Sequence, residues 1–135
     1  MRIALCICPQ WSVQTPSFAI GSLKSHIKNK DVEVEQFDLN IRTSLYTKEK
    51  NIQKFWDWGN DTPWNSEANF KDEILPHFKD LWHEYIDKLA EYDVVAFTTY
   101  ISNIVTTDYI ARYLKQKNPK IQIWYGGPYC WYAES

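Results

Sequence analysis

The chain has 135 residues, of which 44% are hydrophobic and 24% charged, and its net charge is −2. That length suits one domain that can bury a core without disulfides or a structural metal, and the composition excludes a disordered chain. The slight negative charge excludes a nucleic-acid footprint, because the basic residues are scattered and nowhere denser than around Lys48–Lys50; no apolar run approaches a membrane span.

Residues 2–8, RIALCIC, form a near-continuous apolar run, as expected of a strand buried on both faces. The polar, proline-containing stretch PQWSVQTPS breaks it. From Ser17 the period changes: Ala19, Ile20, Leu23 and Ile27 share one helical face, with Pro16 and Ser17 as a helix start. Residues 32–40, VEVEQFDLN, begin with strict alternation and read as an edge or half-buried strand. Residues 41–69 show no sustained period, yet they hold Trp56, Trp58 and Trp64. Phe70, Ile74, Phe78, Leu81, Tyr85 and Leu89 mark a helical stripe, which Pro76 either restarts or kinks. Residues 92–100, YDVVAFTTY, read as a further buried strand. Ile104 to Lys117 is helical, with Val105, Tyr109, Ile110, Tyr113 and Leu114 facing inward. KIQIWYGG is the last strand.

The order is β-α-β, an insert over 41–90, then α-β-α-β. Alternating strands and helices with right-handed crossovers predict an α/β, doubly wound parallel sheet of flavodoxin-like (Rossmann-like) order 2-1-3-4. The fifth strand of such a sheet is lacking from residues 1–135. The chain therefore reads as the N-terminal fragment of a longer protein, unless its last residues fold back in another way. Cys6, Cys8 and Cys130 make an odd count without framework spacing, and Met1 leads directly into a strand. Both features point to a reducing cytoplasm rather than to secretion.

Ligands of open α/β sheets bind at the carboxyl ends of the strands where the order reverses, which places the crevice between strands 1 and 3. The loop after strand 1 has no glycine, so a dinucleotide fingerprint is absent, and no P-loop occurs. The same loop is a poor flavin phosphate loop, and strand 3 ends in Thr98, Thr99 and Tyr100 where a receiver domain needs an aspartate. His26, His77 and His83 lack metal-ligand spacing, and Cys6 and Cys8 read as core thiols. What remains is a crevice with hydroxyls at Thr98, Thr99 and Ser102, and with paired glycines at Gly126 and Gly127. Glycines let a flat group lie on the backbone, and hydroxyls can bond a heterocycle or ribose. The crevice would suit a nucleotide-like tail. A tight turn is the commoner use of a glycine pair.

Three stretches, in this order, carry a family resemblance: TPSFAIGSLKSHIKNKDVEVEQFDLN, YDVVAFTTYISN and IARYLKQKNPKIQIWYGGP. Through them the chain resembles the N-terminal cobalamin (B12)-binding domain of B12-dependent radical SAM enzymes, over all residues except the 41–90 insert. The resemblance implies that Gly126, Gly127 and Pro128 flank the dimethylbenzimidazole tail, and that Thr98, Thr99 and Ser102 contact its base. It places Pro9, Gln10, Trp11, Ser12 and Gln14 near the lower face of the corrin, with Asp38 and Asn40 at the end of strand 2. The family's better-known members carry Asp-x-His-x-x-Gly after strand 1, and here that loop has no histidine, so cobalt would lack a histidine ligand. The resemblance also implies a downstream radical SAM domain in the parent protein, with a 4Fe-4S cluster and S-adenosylmethionine for methyl transfer or related radical chemistry. The cluster's Cys-x-x-x-Cys-x-x-Cys motif is absent from these residues, so none of them is assigned as catalytic. A degenerate domain that only packs against a partner is the alternative. Trp56 and Trp58 read equally as a lid or docking surface and as part of a satellite core, whereas Trp82 reads as core.

Overall fold

The structure, a computed structural model, describes residues 1–11, 31–56 and 62–127. Four parallel strands make the sheet: β1 (Arg2–Ile7), β2 (Glu33–Asp38), β3 (Val94–Thr98) and β4 (Gln122–Gly126). Their order is β2-β1-β3-β4, the flavodoxin-like order expected from the alternation of elements. Among the described residues the longer helices are α1 (Leu39–Glu49), α4 (Leu75–Leu89) and α5 (Ile104–Lys117), the last joining β3 to β4; the short α2 (Thr62–Asn65) and α3 (Glu67–Asn69) lie between α1 and α4. The helix expected over 17–28 lies outside the described residues.

Register fixes which residues share a face. Leu5, Ala96 and Trp124 form one row across three strands, and Ile7, Thr98 and Gly126 form the next. The opposite face carries Ala4, Cys6, Val95 and Phe97, on which Phe78, Trp82, Leu89, Ile110 and Leu114 pack. Burial on both faces explains why β1 and β3 read as unbroken apolar runs. Cys6 and Cys8 are fully buried in the helix-covered core, as expected. The Cys6 thiol is pushed well above its ordinary value by its hydrogen bond with Cys8 and by burial, so it is no nucleophile.

The strand expected over 32–40 stops at Asp38, and Leu39 and Asn40 already belong to α1. The cause is a cap. The Asp38 carboxylate accepts a hydrogen bond from the Ile41 amide at 2.9 Å, which satisfies one orphan donor of the first turn. Helix α1 occupies residues that show no apolar period, because its buried side is mostly polar: Asn40, Thr43, Ser44 and Thr47 beside Leu39. Thr43 and Thr47 return their hydroxyls to the backbone carbonyls of Leu39 and Ser44.

Burial raises the Asp38 pKa from its ordinary value, while its amide hydrogen bonds act the other way. A carboxyl with a raised folded pKa costs stability once pH exceeds that pKa, and the cost disappears as pH falls through it. Asp38→Asn keeps the cap without the buried charge, so it should match or exceed the native melting temperature at pH 7. Asp38→Ala should lose about 1 kcal/mol. Thermal melts of the two variants at pH 7 and pH 4 check this, and the advantage of Asn over Asp should shrink at the lower pH.

Phe70–Ile74 form a π turn in which the Leu75 amide reaches the Phe70 carbonyl, and it runs directly into α4. Pro76 therefore sits in the first turn of α4. On α5 the residues buried most deeply are Thr106, Thr107, Ile110, Ala111 and Leu114. Val105, Tyr109 and Tyr113, expected inward, are only half-buried.

Candidate functional site

The sheet order reverses between β1 and β3, and the loops after these strands meet there. Their junction is Asn103, fully buried at the start of α5. Its amide group donates to the Cys8 carbonyl at 3.2 Å and to the Thr98 carbonyl at 3.1 Å, and its side-chain oxygen accepts from the Tyr100 amide at 2.7 Å. One side chain thus ties the β1 loop to the β3 loop. Asn103→Ala leaves two buried carbonyls and one amide without these partners and should cost about 2–3 kcal/mol. Chemical denaturation measures that loss, and amide exchange should quicken first in the two loops.

The expected site residues fall into three groups. Gln10 and Ser102 clamp the loops to each other: the Gln10 amide donates to the Ser102 carbonyl at 3.2 Å, and the Ser102 hydroxyl donates to the Gln10 carbonyl. Pro9 is buried beside them, and the Gln10 side-chain nitrogen is buried without a hydrogen-bond partner among the described residues. Trp11 stacks on Tyr100 with ring centroids 3.9 Å apart and planes 10° from parallel. Asn40 holds the Trp11 backbone at both ends, accepting from its amide at 2.9 Å and donating to its carbonyl at 3.0 Å. Within the fold, Asp38 caps α1 and Asn40 fixes Trp11.

The second group surrounds the end of β4. The Thr99 amide and hydroxyl both donate to the Gly126 carbonyl, at 2.7 and 2.8 Å. Thr99 and Ser102 thus spend their hydroxyl hydrogens within the fold. Gly127 has φ of +99°, and a Cβ there would lie 2.8 Å from the Thr99 carbonyl oxygen and 2.9 Å from its nitrogen. It is the turn glycine. Gly126 differs, because a Cβ built there meets nothing within 4 Å. By strand alternation that space lies on the face of Trp124 and Thr98. A groove of about 280 Å³ opens there, floored by Leu5 and Ala96 and bounded by Thr98, Trp124, Gly126 and Gly127. Trp124 is 48% exposed along it. Ser12, Gln14 and Pro128, the third group, lie outside the described residues.

Asn103, Tyr100 and Trp124 were not singled out from the sequence. Trp124 had a legible signal, a large aromatic two residues before Gly126 and hence on its face. Asn103 had none, since its partners come from two distant loops. Tyr125, on the other face, donates to Asp108 at 3.2 Å, and burial followed by Asp108 raises its pKa. His77 stacks on Phe55, and His83 bonds Tyr109 at 2.6 Å. Among the described residues no group of three His, Cys, Asp or Glu could hold a metal, and no helix is long and apolar enough to cross a membrane. The chain matches no protein-family model, no curated protein and no solved structure.

Proposed function

We propose that the chain is a cobalamin-binding module serving a radical SAM domain downstream in a longer cytoplasmic protein. The observation that supports this most is the groove beside Gly126. It lies at the carboxyl end of the sheet next to the order reversal, where α/β folds of this kind take ligands. It is apolar, lacks a Cβ at its mouth, and is edged by an exposed tryptophan. Its volume of about 280 Å³ sits at the lower end of small-molecule sites, which suits a planar bicyclic base rather than a whole cofactor.

The residues present fit the group in this way. Leu5, Ala96, Thr98, Trp124 and Gly126 would hold the dimethylbenzimidazole base, with the turn at Gly127 closing one end. Pro9, Gln10 and Trp11, fixed by Ser102, Asn40 and Tyr100, would face the corrin. The buried side-chain nitrogen of Gln10 has no hydrogen-bond partner among the described residues, as a donor awaiting a polar ligand group would require. No histidine stands in the loop after β1, so affinity would come from shape and tail burial. Bound cobalamin would supply cobalt chemistry for methyl transfer or a related radical reaction. The 4Fe-4S cluster and S-adenosylmethionine would belong to the downstream domain.

Titrating the folded chain with hydroxocobalamin, followed by gel filtration, tests this reading. Corrin absorbance should co-elute with the protein at equimolar ratio, with a spectrum showing no histidine coordination. A folded protein that elutes free of corrin supports the alternative, a degenerate packing module, in which the inward-turned hydroxyls of Thr99 and Ser102 serve the fold alone.

A further inference from the structure

A second cleft, of about 560 Å³, lies between α5 on one side and α3 with the π turn on the other. Its volume is within the range of small-molecule sites. One wall is a stripe of α5, Val105, Tyr109, Arg112, Tyr113 and Gln116, at helical spacing. This stripe is separate from the residues that bury α5 against the sheet, and its aromatic members are only half-buried. The facing wall is Phe70, Lys71 and Leu75, with Glu67 and Ala68 at the rim. Phe70 and Lys71 belong to the π turn, a local widening of helix that recurs at functional sites.

The charges at this cleft are few and uneven. Tyr109 stays neutral, its pKa pushed up to about 12 by burial and then by Tyr113, and its hydroxyl is held by His83. Lys71 and Arg112 bring two positive charges and Glu67 one negative. Arg112 meets Glu67 at 3.2 Å with both side chains largely exposed, a pair of little energetic weight that a ligand can displace. An aromatic, half-dry cleft with a net positive rim selects a flat apolar body bearing one anionic group. The geometry points to a second ligand site here, for a small planar aromatic carboxylate whose ring lies against Phe70, Tyr109 and Tyr113 and whose carboxylate pairs with Arg112 and Lys71. This site is independent of cobalamin binding.

The test uses 2-naphthoate and its neutral counterpart 2-naphthamide, titrated into the whole chain by calorimetry and by NMR. Naphthoate should bind saturably, roughly five- to tenfold tighter than naphthamide. Arg112→Gln should erase that preference. Glu67→Gln frees Arg112 and should tighten naphthoate a few-fold. Ala68→Trp, at an exposed helix position, fills the cleft and should remove binding of both compounds while the melting temperature stays near native. Gly126→Leu should leave naphthoate binding unchanged, which separates this site from the strand-end groove. Absence of saturable naphthoate binding, equal affinity for the two compounds, or binding that Ala68→Trp leaves intact would each overturn the proposal.

Discussion

Replacing Trp82 with alanine should lower the unfolding free energy by about 3–5 kcal/mol, the usual cost of deleting a buried tryptophan. Trp82 is fully buried and lies at the centre of an aromatic cluster. Phe70 stacks on it with centroids 5.8 Å apart and planes 4° from parallel, Phe78 is at 5.4 Å, and Trp64 is at 6.2 Å. Its indole N–H donates to the Thr43 hydroxyl at 3.1 Å, so truncation also removes a buried hydrogen bond to α1. Domains of this size carry about 5–15 kcal/mol in all, so the variant should be partly unfolded at 37 °C. Urea denaturation measures it. A loss under 1 kcal/mol would mean that the cluster is not packed as described.

The same cluster decides the reading of the aromatic insert. Trp64 is fully buried, and Trp56 packs edge-on against it at 5.5 Å. Both tryptophans belong to the core on the helical side of the sheet. Trp58 lies outside the described residues.

Gly127→Val should destabilise the chain by about 2–3 kcal/mol, whether or not a ligand binds. A β-branched residue resists the positive φ, and its Cβ would meet the Thr99 backbone at 2.8 Å, which cannot yield as a flexible side chain would. Gly126 is the opposite case. Its Cβ position is open, and a strand glycine gains from any side chain that its backbone tolerates. Gly126→Ala should therefore be neutral or stabilising by a few tenths of a kcal/mol. Melting temperatures of the two variants check the contrast. The two glycines that border the groove thus differ: Gly127 makes the turn, and Gly126 leaves open space where a Cβ would stand.

The sheet was legible because each buried strand is a short apolar run bounded by turn residues, and the run Ile104–Lys117 carries a helical period. Helix α1 was not legible, because it buries threonines and an asparagine whose hydroxyls and amide are satisfied by partners that periodicity cannot name. The meeting of the strand-end loops was legible in outline. Gly126, Thr98 and the Pro9–Trp11 loop do converge at the strand ends. The inward turn of Thr99 and Ser102 was hidden, because their acceptors lie 27 and 92 residues away in sequence. A hydroxyl beside an open carbonyl at a sheet edge satisfies that carbonyl first, since an unpaired buried acceptor is costly.

The most direct test compares hydroxocobalamin binding by the native chain and by Gly126→Leu, with melting temperatures recorded for both. Leucine at this position starts from a Cβ that meets nothing within 4 Å and extends into the groove lined by Ala96 and Trp124. The account predicts that the native chain retains corrin through gel filtration, and that Gly126→Leu melts as the native chain does yet elutes free of it. Equal retention by both proteins would place the tail elsewhere, and no retention by a folded native chain would contradict cobalamin binding itself.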